Sequence, residues 1–139
     1  MFGKKQKVDL TKMNSIIEAG TYIVGRVKFT GTMKISGRVD GSIEGAPVHN
    51  DKPMDAVLII EGRVSAGTIE ADHIIVTGYV QAEKVIARKS LIVISGGKFF
   101  VDAAEYGSIT VDETATIDAM LSRIKPEEVE AKDEALVAA

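Results

Sequence analysis

The 139-residue chain contains no cysteine. That excludes disulfides, thiolate zinc sites and a cysteine nucleophile, and it fits a reducing compartment such as the cytoplasm. There is no tryptophan, and aromatic residues make up only 5% of the chain. With 45% of residues hydrophobic, a core must be built from Ile, Val, Leu and Ala. Proline occurs 3 times against 13 glycines, so glycine punctuates a regular pattern and does not mark a disordered chain. No apolar run approaches the roughly 18–20 residues of a spanning helix. The N-terminus also lacks the apolar stretch of a secretory signal. No Gly-x4-Gly-Lys-Ser/Thr phosphate loop is present, and any assembly is expected to proceed without nucleotide or other cofactor. His49 and His73 are the only imidazoles, too few for a three-histidine zinc site.

Charge is unevenly placed. The net charge is −3, and an acidic chain is a poor general nucleic-acid binder, because phosphate contacts need clustered positive charge. The start is nevertheless basic, with Lys4, Lys5, Lys7 and Lys12 against Asp9. The end is acidic, with Glu127, Glu128, Glu130, Asp133 and Glu134 against Lys125 and Lys132.

What the sequence has in abundance is repetition. Val57–Val64, His73–Val80, Leu91–Lys98 and Ser108–Ala115 each open with an apolar run and turn at or near a glycine. The anchors read as Gly62, Gly78 and Gly96, with Glu113 in the place of a fourth, at spacings of 16, 18 and 17 residues. A second short stretch follows each turn: Gly67–Ala71, Lys84–Ala87 and Phe99–Val101. The same logic runs upstream in Tyr22–Val27 and Met33–Ile43. A period near 17 is too short for helical repeats of about 33–47 residues. Apolar residues recur every second position in short β-branched strings, the mark of strands with one face buried.

These features predict an all-β, single-domain β-helix (solenoid), in which each repeat is one coil and inward Ile and Val stack on their equivalents above and below. A β-sandwich would show turns every 8–12 residues or so without a fixed longer period. Ile75 or Val76 and Ile92 or Val93 are expected at equivalent inward positions one coil apart. The expected organisation is a flexible basic tail over 1–14, a β-helix over 15–120 interrupted by a surface loop at 46–56, and a flexible acidic tail over 121–139. The loop assignment rests on Pro47, Asn50, Asp51, Pro53 and Asp55.

A solenoid ends in unpaired backbone groups over an apolar cross-section, and such an edge is a template for pairing with another chain. Neither end carries an obvious capping helix, although Met120, Leu121 and Ile124 could fold back as a lid. Stacking on another subunit is the preferred reading. The stacking residues expected are Ile16, Ile17, Ile109, Val111, Ile117 and Met120. At the basic start, Phe2 beside Lys4, Lys5 and Lys7 suits contact with an anionic membrane, through ring insertion plus lysine attraction worth roughly 1 kcal/mol each. Catalysis is not expected. His73 is the one residue to test, because solenoid acyltransferases use a histidine, and a trimeric β-helix acyltransferase is the alternative reading.

The Gly37–Ile43, Ile60–Val64 and Gly67–Val76 segments, with the run of coils around them, resemble the bactofilin family of bacterial cytoskeletal proteins. The resemblance covers about Ile16 to Met120. It implies a right-handed, triangular β-helix that polymerises end to end into non-polar filaments without nucleotide. It further implies a cytoplasmic location on the inner face of the cytoplasmic membrane, where such filaments position cell-wall enzymes or their membrane adaptors. The basic start is similar to the short membrane-targeting peptide of many members. The insert at 46–56 departs from the family pattern.

Overall fold

Residues 15–49 and 51–124, the part that the computed structural model describes, form strands and turns and no helix. In chain order the strands are β1 (Ser15–Ile17), β2 (Tyr22–Thr30), β3 (Thr32–Ile35), β4 (Arg38–Ala46), β5 (Val48–His49), β6 (Lys52–Pro53), β7 (Val57–Ile60), β8 (Arg63–Val76), β9 (Tyr79–Val93), β10 (Lys98–Val111) and β11 (Thr116–Arg123). Nine of them form one sheet, and every pairing in it is parallel. The sheet winds into a β-solenoid of about six coils. The long strands β8, β9 and β10 turn corners, where register shifts mark the bends.

Each coil contributes three sides, and each side buries at least one apolar column, the first also burying Met33, Leu58, Ile74 and Leu91. The first column is Ile17, Ile35, Ile60, Val76, Val93 and Val111. The second is Ile23, Val39, Val64, Val80, Phe99 and Ile117. The third is Val27, Ile43, Ile69, Val85, Ala104 and Leu121. Middle members such as Ile60, Val64 and Val85 are wholly buried, each contributing about 1.5–3 kcal/mol through burial. Two rings are buried, Phe99 wholly, in the second column one coil before its end, and Phe29 in the first coil.

Of the two phases left open, Val76 and Val93 pair one coil apart and face inward, with Ile74 and Leu91, whereas the paired Ile75 and Ile92 face outward. Four consecutive β-formers do not reveal which of two phases faces in, and a one-residue slip flips every side chain. The glycine column shifts. A Cβ on Gly78 would collide with the carbonyl oxygen of Gly62, and one on Gly62 with that of Gly37. Because Lys98 pairs with Tyr79 and Thr116 with Lys98, the column continues at Gly97 and then Ala115, not at Gly96 and Glu113. Gly96 instead supplies the positive φ, +80°, of the adjoining turn.

The insert departs from a simple loop. β5 and β6 pair antiparallel, His49 opposite Lys52, as a minimal hairpin with Asp51 at a φ of 63°. At the other end, β11 runs past residue 120 to Arg123, with Leu121 beside Ala104 and the Ile124 amide donating to the Tyr106 carbonyl at 2.6 Å. Residues 120–124 therefore continue the last coil and do not fold back as a lid.

Candidate functional site

The two ends of the solenoid are its unfinished parts. β1 and β2 pair only with β3 and β4, and β11 pairs only with β10. Among the described residues their outer edges have no strand partner. Exposure along the columns shows what is missing. In the first column Val76 and Val93 are 0% exposed, whereas Val111, one coil further on, is 43% exposed. In the third column Val85 and Ala104 are 0% exposed, and Leu121 is 40% exposed. An added coil would cover these side chains and pair the free edge in one step.

The expected stacking residues divide into two groups. Ile17 faces inward in the first coil, and Ile109, Val111 and Ile117 face inward in the last. Ile16 and Met120 point outward, at 57% and 72% exposure. Ile16 is the odd member of its strand. Met120 follows the register shift between Val101 and Ala103, which hands the inward position to Leu121. Leu121, Ile23, Val27 and Phe29 complete the end surfaces and were not among the expected residues. Phe29 packs its ring over Gly45 and beside Ala56, a fit that depends on the absence of a side chain at residue 45. No local signal in the sequence joins these positions.

A polar cluster sits beneath the insert. Asp72 is buried, accepts from the Ala56 amide at 2.7 Å and meets Arg88 Nε at 2.9 Å. Arg88 also reaches Glu70 at 2.6 Å and the Gly45 carbonyl at 2.6 Å. Burial pulls the Arg88 pKa down, but the hydrogen bond to Asp72 and the two carboxylate charges outweigh it and hold the guanidinium above its ordinary value. Alongside, His73 lies between the Asp55 carboxylate (Nε2, 3.0 Å) and the Ser90 hydroxyl (Nδ1, 2.7 Å), and Lys89 grips Asp55 at 2.7 Å. The Lys89 hydrogen bond, then that of His73, lowers the Asp55 pKa. Asp, His and Ser are the groups of a nucleophile-activating triad. Here, however, the carboxylate is shared with Lys89, and the contacts join the insert to two coils, which is the arrangement of a structural tie. Among the described residues, no group of three or more His, Asp or Glu is placed to hold a metal. Phe2, Lys4, Lys5 and Lys7, expected at a membrane, lie outside the described residues.

A parallel solenoid whose last described coil leaves its apolar cross-section open is suited to self-stacking, and the class it defines is the polymer-forming structural protein. The bactofilin family profile, described as polymer-forming cytoskeletal, matches residues 15–122. The chain belongs to the bactofilin family. No curated protein sequence matches the chain. Among solved structures, it is similar to the cryo-EM reconstruction of Thermus thermophilus bactofilin double helical filaments, at 20% identity and a TM-score of 0.67, covering 79% of this chain and 99% of that one. At that identity the likeness speaks for the fold alone.

Proposed function

We propose that this polymer-forming cytoskeletal protein stacks end to end, without nucleotide, into filaments on the inner face of the cytoplasmic membrane, where they position cell-wall or morphogenesis proteins. The supporting observation is the jump in exposure from 0% at Val93 to 43% at Val111 within one column. Pairing of filaments, the arrangement in the Thermus thermophilus reconstruction, is carried over to this chain as part of the same reading. The membrane role draws on Phe2 and the lysines Lys4, Lys5 and Lys7. One such segment binds weakly, but a filament presents many copies, and avidity multiplies the effect. Negative-stain electron microscopy of the purified protein without nucleotide tests the assembly reading. Filaments are the expected result. Discrete trimers would favour a β-helix acyltransferase, and single small particles a monomeric adaptor.

A further inference from the structure

One side of the solenoid differs from the other two. Its outward residues form two columns. One is Ile16, Lys34, Ile59, Ile75, Ile92 and Thr110, and the other is Thr32, Val57, His73, Ser90 and Ser108. Lys34 is neutralised by Glu61 at 3.3 Å, and beside His73 Asp55 is neutralised by Lys89 at 2.7 Å, so this side presents isoleucine, hydroxyl and imidazole groups and two closed ion pairs. The second side carries Arg38, Arg63, Lys98, Asp40 and Asp118 outward, interleaved with Tyr22, Val24, Tyr79 and Phe100, and the third carries Arg26, Lys28, Glu44, Glu70, Lys84 and Glu105. Solvent-facing strand positions are normally filled by charged residues, as throughout the third side and on much of the second, which also discourages edge-to-edge and face-to-face association.

Resting on the filament reading above, we infer that this isoleucine side, whose charges are paired, is where a second filament of the same chain packs, side against side. Three points select that occupant. Ile59, Ile75 and Ile92 stand in successive coils, about 4.8 Å apart along the axis, so stacking subunits extends them into a stripe that recurs down the polymer. The half-buried isoleucines of one subunit offer a small fraction of the roughly 800 Å² per partner that a stable complex buries, so a single subunit holds nothing here. A parallel filament with the same repeat sums many small contacts. An anionic lipid surface is disfavoured because the lysines of this side, Lys34 and Lys89, are already paired with Glu61 and Asp55.

The test is electron microscopy of filaments from the full chain and from two double variants, Ile75→Lys with Ile92→Lys and Ile75→Thr with Ile92→Thr. Threonine keeps the β-branched strand preference, so the second variant retains the coil if the first fails to fold. Paired filaments from the parent, and filaments of about half the width with an unchanged axial repeat from the variants, are expected. Persistent pairing in the threonine variant would overturn the inference and leave the isoleucines as strand formers only. Single filaments from the parent would overturn lateral pairing but leave end-to-end stacking standing, whereas no polymer at all would overturn both. Co-sedimentation with phosphatidylglycerol vesicles separates the lipid alternative. Equal binding by the parent and the threonine variant supports the inference, and loss of vesicle binding with pairing intact overturns it.

Discussion

Ile74 and Ile75 are chain neighbours with opposite surroundings. Ile74 is wholly buried between Leu58 and Leu91, and Ile75 faces out between Ile59 and Ile92. Ile74→Ala leaves a cavity in a column that cannot collapse, because the coils above and below fix its walls. The expected cost is about 2–5 kcal/mol. Ile75→Ala loses cross-strand contact on a solvated face, for about 0.2–1 kcal/mol. Urea denaturation of the two variants, read by circular dichroism, checks the contrast, and equal losses would mean that the inward phase is wrongly assigned.

At the scale of the element, the insert is held by Asp55 and by the buried Asp72. Hydrogen bonds from Lys89 and His73 depress the Asp55 pKa below its ordinary 3.8. A depressed carboxylate contributes stability that is complete above the ordinary value and is lost as pH falls through the folded value. The ties from Asp55 to His73 and Lys89 should therefore hold at neutral pH and release below about pH 3.8. Amide exchange or limited proteolysis over 48–53 should show faster opening at pH 3 than at pH 6. Asp55→Asn should open at both pH values and so abolish most of the difference. Because the coils pack through other residues, the β-type circular dichroism should be unchanged by this substitution.

For the whole molecule, assembly and membrane contact should be separable. Val111→Arg places a charge on the open cross-section, where burial against another subunit would cost several kcal/mol. In the monomer that position is exposed, so the variant should keep its circular dichroism and sediment as a monomer or as a dimer joined at the first coil. Normal filaments from it would show that the last coil does not stack. Deleting residues 2–7 removes Phe2, Lys4, Lys5 and Lys7. The truncated chain should form filaments yet fail to pellet with anionic liposomes. Full burial of a Phe ring gives only about 1.5–3 kcal/mol, so Val111→Arg should also bind liposomes poorly with its N-terminal segment intact. Undiminished pelleting of the truncated chain would remove the membrane role from that segment.

The sequence by itself determined the architecture, because a solenoid is a local rule applied repeatedly. Alternating Ile and Val set strands, and recurrent glycines such as Gly62 and Gly78 set corners where a Cβ would strike the coil above. The bare last rung among the described residues has the same origin, since a repeat that stops leaves the inward residues of its last coil without a coil above them. The tertiary structure alone decided the phase of Val57–Ile60 and His73–Val76, since runs of β-formers satisfy strand propensity either way round. It also decided that Gly97, not Gly96, continues the column, and that Leu121 replaces Met120 at the open end. Those outcomes depend on register shifts such as the one between Val101 and Ala103. A shift of that kind is fixed by how one coil seats on the next, and contacts across a coil join residues too far apart in the chain for local spacing to encode them.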